Sequence, residues 1–347
     1  ELRTELIEKG HLFRTGTDTD VIIEAYKEYG TDAFNLFNGM WAFALWDVER
    51  KALIISRDRF SVKPLYYHLS REQLVFASEI KQILPLLDKT GVNESVMLKY
   101  LRQALLDDTD ETFFNGIKKV PPRSFITLDL ESRQLKNTQY YNFEPDNIPK
   151  LIDENDYTEY FRYLFQSSVE IRLRSDVKVG SFLSGGLDSS SIVTTMNLLC
   201  KDEIETFSVV SENKKYSEEH FIDIVVKYRN IKVHKLFIDI HESLTMLGDV
   251  ISHQDEPFAG MSIAAQYQLM KQVKENSDVK VLLDGQGGDE ILCGYKKFFF
   301  FYLQNLYKQG KKITFLKEIL SAFIHRTILW QFSLAEAKRY MPRTSRK

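Results

Sequence analysis

The spacing of hydrophobic residues predicts a mixed α+β first half. Helical spacing in residues 1–9 and 19–29 is followed by short apolar runs with turn-like separators, which is typical of strands in a largely antiparallel sheet. These runs are 40–47, 51–58, 64–69 and 73–78, and a strand-like run at 123–131 and an aromatic run at 138–143 come later. Two further helices are predicted at 78–87, with a break at Pro85, and at 93–106.

The second half has a different pattern. Residues 142–156 are short of apolar side chains and predict a linker. Beyond them strand and helix patterns alternate, which predicts a parallel sheet with helices on both faces. Strands are expected at 177–183, 204–210, 232–239 and 279–283, with helices at 157–174, 189–200, 217–229 and 262–275. The first of these helices should have one apolar face formed by Tyr157, Tyr160, Phe161, Leu164 and Phe165.

Composition and charge exclude several classes of function. The 347 residues are 44% hydrophobic, with a net charge of −3 and a pI near 6.2. Because no general basic field is present, we expect small molecules or protein as partners, with no nucleic acid and no membrane. The two cysteines, Cys200 and Cys293, lie far apart, so neither a disulfide framework nor a zinc site is indicated. The sequence predicts neither a signal peptide nor a bilayer-spanning run, and we expect a cytoplasmic location.

One loop after a predicted strand has an unusual composition. Residues 181–196 read SFLSGGLDSSSIVTTM, so Ser184, Gly185 and Gly186 follow an apolar run and Asp188 comes just before a predicted helix. Glycines let backbone amides approach an anion, serine hydroxyls add donors, and the N-terminus of a helix favours phosphate. A carboxylate beside phosphate is repulsive unless a magnesium ion lies between them, so Asp188 predicts such an ion. The alternative is a plain glycine-rich turn with an ordinary cap.

A second loop repeats this composition. The run LLDGQGGDEILCGY at 282–295 places Asp284, three glycines, Asp289 and Glu290 after a predicted strand. Ligands of open parallel sheets bind beyond the carboxyl ends of the strands. We therefore expect the two loops to form one composite site, in which a carboxylate of the second loop supplies another magnesium contact. A turn with solvated acids is the alternative.

The order of these motifs resembles a known family. The run from Ser184 to Ser189 is similar to the pyrophosphate loop of the N-type ATP pyrophosphatases, and with HQDEPF at 253–258 and the second loop it resembles the glutamine-dependent asparagine synthetases. Four earlier runs resemble the distal part of that family's N-terminal-nucleophile glutaminase domain: GTDTDVIIEAYKEYG, FNGMWAFALWD, RDRFSVKPLYY and FASEIKQIL. The resemblance implies an α+β glutaminase sandwich at 1–141, a linker at 142–156 and a doubly wound α/β ATP-pyrophosphatase domain at 157–347. It also implies that both ends of the chain are truncated.

The resemblance further implies a reaction and its site residues. ATP would activate aspartate as β-aspartyl-AMP with release of pyrophosphate, and ammonia from glutamine would then displace AMP. Asp188, Asp289 and Gln286 would be catalytic, with the two aspartates on Mg²⁺, and Asp18 would bind the amino group of glutamine. ATP would contact Leu183, Ser184, Gly185, Gly186, Asp188, Ser189, Val209, Asp284 and Gly285. For Asp18, an N-cap of the following helix is the alternative. A homodimer is the expected assembly.

Several positions depart from the family pattern. The catalytic Cys and the Asn-Gly-Glu segment of the glutaminase are absent, so we expect that this chain does not hydrolyse glutamine. Gln286 stands where many members have Glu, and Asp284 where many have Ser, so the roles of those side chains do not carry over directly. Ser61 and Arg123 replace expected glycines, which indicates local changes in turns.

Two other functions stay open at this point. Another amide-forming ligase with the same loops, such as a β-lactam synthetase-like enzyme or a natural-product amidotransferase, would differ in its acceptor pocket. A catalytically silent nucleotide-binding or interaction protein is slightly favoured by Gln286 and by the missing nucleophile.

Overall fold

A computed structural model describes residues 1–143, 149, 153–210, 217–227, 230–237, 240–258 and 260–325. Contacts divide the chain into unit 1, which is Glu1–Lys150 with Thr245–Ala264, and unit 2, which is Leu151–Leu244 with Ala265–Lys347. Most of the predicted linker lies outside the described residues.

Unit 1 combines two antiparallel sheets with short helices. Its helices are α1 (Leu2–Glu8), α2 (Asp18–Tyr29), α3 (Ala33–Leu36), α4 (Ile80–Ile83) and α5 (Glu94–Gln103). Its strands are β1 (Ala42–Asp47), β2 (Ala52–Arg57), β3 (Tyr66–Leu69), β4 (Leu74–Ala77), β5 (Ile117–Lys119), β6 (Ser124–Asp129) and β7 (Leu135–Gln139). The strand orders are β1-β2-β6-β7 and β4-β3-β5. As predicted, Pro85 marks the end of a helix, because α4 gives way to a 3₁₀ turn at Leu84–Leu86.

Alternation along two strands builds the layers of unit 1. Ile54 and Phe125 point to one face of the first sheet and pack with α1–α3 around the fully buried Phe34. The next residues along, Ile55 and Ile126, point to the other face and pack against the second sheet. Helix α4 covers the far side of that second sheet. This helix–sheet–sheet–helix order confirms the predicted α+β sandwich.

After residue 150 the chain alternates as the sequence predicts. The helices are α6 (Glu154–Arg172), α7 (Leu187–Leu199), α8 (Glu219–Lys227), α9 (Ile240–Thr245), α10 (Leu247–Gln254), α11 (Ser262–Asn276), α12 (Gly288–Leu292), α13 (Lys296–Lys308) and α14 (Lys312–Ile324). The strands are β8 (Val179–Phe182), β9 (Ile204–Val210), β10 (Ile231–Phe237) and β11 (Val281–Leu283), which pair in parallel in the order β10-β9-β8-β11. None of the described helices is both long and apolar enough to cross a bilayer.

Helices cover both faces of the parallel sheet. Phe182 and Phe207 pack with residues of α11 on one face. Leu183 and Val210 pack with residues of α7 and α8 on the other. The predicted doubly wound α/β arrangement is thereby confirmed.

Two strands of unit 1 differ from the prediction. Strand β5 was not predicted, because its short sequence, Ile117–Lys119, has two lysines and follows a glycine. The hydroxyl of buried Thr112 holds it by donating to the carbonyl of Ile117 at 2.7 Å. Strand β7 (Leu135–Gln139) was not predicted either, because it begins in a polar stretch and overlaps the aromatic run only at Thr138 and Gln139. Tyr140 beyond it uses its ring in the first core and donates its hydroxyl to the carbonyl of Arg57.

The predicted apolar face of α6 is mostly exposed. Tyr157, Phe161 and Leu164 keep 50%, 48% and 47% of their surface accessible. Within the described core, α6 contributes Val169 and the partly buried Phe165. Helical spacing identifies a stripe of apolar residues, but which part of that stripe is covered depends on where the helix packs.

The two sequence departures in turns lie where the backbone favours glycine. Ser61 and Arg123 have φ angles of 58° and 59°, in the left-handed region. The loop at Ser61 is fixed by buried Asp58, which accepts backbone N–H groups of Phe60, Val62 and Lys63 at 2.9–3.0 Å. Residues other than glycine are strained at such φ angles, so Ser61 and Arg123 lower the stability of the fold.

We expect Ser61→Gly and Arg123→Gly each to raise the free energy of unfolding by roughly 0.5–1 kcal/mol, because glycine relieves the left-handed strain. Urea unfolding followed by circular dichroism measures the change. Ser70→Gly is the matched control: the Ser70 hydroxyl accepts the N–H of Gln73, so that change should lower stability. A loss of stability in Ser61→Gly would show that its side chain is worth more than the relief of strain.

A buried charge cluster lies at the amino end of the parallel sheet. Glu205 is 6% exposed, forms ion pairs with Lys178 and Lys232, and contacts His234 at 2.7 Å and Ser277 at 3.2 Å. Burial would raise the pKa of Glu205, but hydrogen bonds from Lys178 and His234 outweigh it and lower the pKa to about 2. Glu205 therefore stays ionised and links β9 to its neighbours.

The lowered pKa makes stability depend on pH. Glu205 stabilises the fold fully above its ordinary pKa of 4.5, and that contribution is lost as the pH falls towards 2. Glu205→Gln should cost roughly 1–3 kcal/mol near neutral pH, with the difference from the unchanged chain shrinking below pH 4.5. Thermal unfolding at several pH values tests this, with exposed Glu203→Gln as the control. An equal difference at pH 7 and pH 3 would contradict it.

Candidate functional site

The first glycine-rich loop follows β8 and is closed by its own serines. Ser189 is buried, and its hydroxyl accepts the N–H of Ser184 at 3.2 Å and lies 3.0 Å from the Ser184 hydroxyl. The Ser184 hydroxyl in turn accepts the N–H of Gly186, the residue that precedes α7. Ser184 is exposed and can meet a ligand, whereas Ser189 shapes the loop from within.

Gly185 is required by both its angle and its surroundings. Its φ is +85°, and a Cβ there would lie 2.9 Å from the Cβ of Phe221 and 3.2 Å from the carbonyl oxygen of Glu218. The loop therefore packs on the start of α8 with no room for a side chain.

The second loop packs directly on Asp188 of the first. A Cβ at Gly288 would lie 2.6 Å from Cγ of Asp188, and one at Gly285 would lie 3.1 Å from its Cβ and 3.0 Å from the N atom of Ser189. The strands before the loops are neighbours, because β11 pairs with β8 and Ser181 donates its hydroxyl to the carbonyl of Leu283 at 3.1 Å. The predicted meeting of the two loops is therefore observed.

The other predicted residues of this region take different positions. Leu183 is fully buried, its N–H donates to Phe207 and its carbonyl accepts the Ser208 hydroxyl, so it supports the loop from below. Val209 is partly buried near the carboxyl end of β9. Asp284 accepts the N–H of Gln286 at 3.2 Å and thereby fixes the turn of the second loop.

Asp289 and Gln286 belong to the exposed part of the second loop. The carboxylate of Asp289 lies over Gly294, where a Cβ would overlap its Oδ1. Neighbouring Glu290 accepts the hydroxyl of Tyr295 at 2.7 Å, and this bond lowers the pKa of Glu290. Glu290 is therefore engaged within the loop.

Asp18, the expected glutamine contact, is in unit 1. It is the first residue of α2 and is exposed, and Thr17 is the N-cap, so the capping alternative for Asp18 is wrong. The loop before it is held by Asp20 and Arg3, which the sequence pattern did not identify. Thr15 donates its N–H and its hydroxyl to Asp20, which lowers the pKa of Asp20. Arg3 donates to the carbonyls of Thr15 and Thr17.

A cavity of about 510 Å³ opens beside the first loop, between α6 and α7. It is lined by Thr158, Phe161, Arg162, Phe165, Gly185, Leu187, Ser190, Ser191, Thr194 and Thr195. Within the described structure the hydroxyl of Ser190 is buried with no hydrogen-bond partner, and the guanidinium of Arg162 pairs with Glu159. Sequence spacing could not find this cavity, because it depends on where α6 lies against α7.

Comparison with known proteins decides the family. A family model described as asparagine synthase matches residues 160–346, and one described as a glutamine amidotransferase domain matches residues 1–141. The chain belongs to the asparagine synthase family. The resemblance inferred from the motifs is confirmed.

Relatives of the asparagine synthase family align along most of this chain. A glutamine-hydrolysing asparagine synthetase, by name, of Methanocaldococcus jannaschii is 34% identical over 84% of this chain and 56% of its own length. Asparagine synthetase 1 of Bacillus subtilis is 32% identical over 85% and 46%, and Amidase chry2 of Gibberella zeae is 29% identical over 82% and 44%. The chain thus spans about half the length of the curated relatives it matches.

The residues present fit a hard cation bound together with phosphates. Carboxylate oxygens of one or two residues, completed by substrate phosphates and water, are the usual ligands of Mg²⁺. Asp188 and Asp289 supply such oxygens, one from each loop, and the glycines of the second loop let the Asp188 carboxylate lie against its backbone. Among the described residues no cluster of three or more His, Cys, Asp or Glu forms a site made by protein ligands alone.

The contact of Gly288 with Asp188 gives a direct test. Gly288→Ala places a Cβ against the carboxylate, and an overpacked contact of this kind costs about 1–3 kcal/mol. If the contact destabilises the nucleotide-bound state by this amount more than the free state, the affinity for magnesium-ATP should drop by roughly 5- to 150-fold. Isothermal titration calorimetry measures the affinity. Gly248→Ala is the control, because a Cβ there meets nothing within 4 Å. Unchanged affinity in Gly288→Ala would mean that this contact lies outside the nucleotide site.

Proposed function

We propose that the complete protein is a glutamine-dependent asparagine synthase. The side-chain carboxylate of aspartate attacks the α-phosphorus of ATP, pyrophosphate leaves, and ammonia from glutamine displaces AMP to give asparagine. The observation that carries this proposal is the packing of Gly285 and Gly288 against Asp188, which joins two glycine-and-acid loops at the carboxyl ends of parallel strands.

The first loop is the proposed pyrophosphate site. The backbone amide of Gly185, the hydroxyl of exposed Ser184 and the first turn of α7 supply donors and a positive dipole end for phosphate oxygens. Gly186 shapes the loop, because its N–H already donates to the Ser184 hydroxyl. Ser189 has an indirect role, since its buried hydroxyl holds the loop closed. Asp188 then lies next to the phosphates.

Asp188 and Asp289 are the proposed ligands of Mg²⁺. The bound ion would neutralise the charge that builds up as pyrophosphate leaves. Asp188 is held for this task by the glycines of the second loop, which allow its carboxylate to lie against their backbone.

The nucleoside part of ATP is assigned to the neighbouring strand ends. Val209 and Gly285 are its proposed contacts, with Asp284 fixing the turn of the second loop. Leu183 is proposed as support beneath the nucleotide, since its side chain and both of its backbone polar groups are already engaged.

Glutamine is assigned to residues 1–141, with Asp18 as the partner of its amino group. The exposed carboxylate of Asp18 at the start of α2 supports this, because an ammonium group pairs well with a free carboxylate. The synthase part is assigned to 157–347, after a linker at 142–156. A homodimer in the cytoplasm is the proposed state of the complete protein.

Aspartate is the preferred acceptor because relatives named asparagine synthetases align along most of the chain. Exchange of labelled pyrophosphate into ATP reports the first step without requiring ammonia. We expect exchange that needs both magnesium and aspartate in the complete gene product, and its loss in Asp188→Asn. The exposed Asp202→Asn serves as the control and should exchange normally.

Two outcomes would point to the other functions. Exchange that responds to another carboxylic acid but not to aspartate would point to a different amide-forming ligase. ATP binding without exchange for any acid would point to a silent nucleotide-binding protein. Gln286→Glu adds an internal test: if a carboxylate at this position assists the reaction, the variant should form asparagine faster than the unchanged protein, with similar affinity for ATP.

A further inference from the structure

The two acids of the HQDEPF run at 253–258 are nearly buried. The side chains of Asp255 and Glu256 are 10% and 13% exposed. Both lie in the stretch 245–264, which is counted with unit 1 although it falls inside the asparagine synthase match. Buried carboxylates need partners, and unit 1 supplies them.

Asp255 is held by Lys81 of α4. One carboxylate oxygen lies 3.2 Å from the Nζ of Lys81, and the other accepts the backbone N–H of Lys81 at 3.3 Å. The same Nζ donates to the carbonyl of Ser252 at 2.7 Å, near the C-terminal end of α10. Asp255 itself has a φ of 60°, so the chain bends sharply where the pair forms.

Glu256 is held by Lys119 of β5. One oxygen accepts the backbone N–H of Phe113 at 2.9 Å and the other lies 3.3 Å from the Nζ of Lys119, a side chain that is 11% exposed. The hydroxyl of Tyr100 donates to the carbonyl of Phe258 at 3.0 Å. These contacts involve both the charges and the backbone of the run.

We propose that Lys81 and Lys119 are positioning residues that clamp the 252–258 segment, and that this clamp keeps glutamine hydrolysis coupled to asparagine formation. The coupling of glutamine hydrolysis to asparagine formation rests on the proposed function. Neither acid of the clamp then takes part in the ligase chemistry itself, because each carboxylate is already engaged by a lysine and a backbone N–H.

Chain continuity gives the clamp a route to the ligase site. Residues shortly after the segment begin α11, whose Leu269 and Val273 pack with Phe182 in the core of the parallel sheet. Phe182 is the last residue of β8, directly before the pyrophosphate loop. Because Leu269, Val273 and Phe182 hold this part of α11 in the core of the sheet, releasing the segment should leave the pyrophosphate loop and the chemistry of ATP in place while it loosens the link between unit 1 and α11.

The clamp is tested in this chain by hydrogen exchange. Removing one partner of a nearly buried ion pair should speed exchange at the Phe113 amide and across 252–258 by roughly 100-fold in Lys119→Met and in Glu256→Gln. The double variant should exchange little faster than either single one. Lys118→Met is the matched control, since the adjacent Lys118 pairs with Glu111 at 2.6 Å and does not touch the segment. Unchanged exchange in both single variants would overturn the clamp.

Coupling is tested in the complete gene product by counting glutamine consumed per asparagine formed. We expect this ratio to rise in Lys119→Met and Glu256→Gln, while aspartate-dependent pyrophosphate exchange and ammonia-driven synthesis stay near those of the unchanged protein. A proportional fall of all activities with a lower melting temperature would indicate a structural role alone and overturn the coupling proposal. If no variant or parent forms asparagine, the proposed function fails, whereas the exchange experiment still decides the clamp.

Discussion

The pairing of β11 with β8 is the constraint on which the candidate site depends. Parallel strands that are neighbours end at the same edge of a sheet, so the loops that follow them must meet. They meet so closely that Gly285 and Gly288 have no room for side chains beside Asp188. The second loop therefore needs glycine at these two positions, because the carboxylate of a residue about one hundred positions earlier in the chain packs against them. The same contact keeps that carboxylate at the end of the strand, next to the donors of the first loop.

Polar groups in the interior are placed where they connect separate segments. Glu205 links β9 to β8 and β10 at the end of the sheet away from the candidate site. In unit 1, the Asp58 carboxylate accepts hydrogen bonds from backbone N–H groups of its own loop. Asp20 and Arg3 bind backbone groups of the loop before Asp18. Asp58, Asp20 and Arg3 satisfy backbone groups that would otherwise be unpaired, so their loops can hold one conformation without regular secondary structure.

The 252–258 segment shows the same principle at a larger scale. The segment lies within the residues that match the asparagine synthase family model, but its contacts group it with unit 1. Two lysine side chains, a tyrosine hydroxyl and two backbone amides bind it. The acids of this run could be taken for active-site residues, but their contacts anchor the segment to the rest of unit 1.

The sequence by itself determined the class of each half, the strands from β8 to β11, and the two loops with their glycines and Asp188, because these depend on local periodicity and on residue chemistry along the chain. It also identified Ser61 and Arg123 as unusual, and their positive φ angles explain why glycine is expected there. Only the tertiary structure decided that Leu183 is buried, that the aromatic face of α6 stays largely exposed, and that Asp255 and Glu256 pair with Lys81 and Lys119. Those features are set by contacts between residues far apart in sequence, and a local sequence pattern does not show which distant side chain a residue will contact.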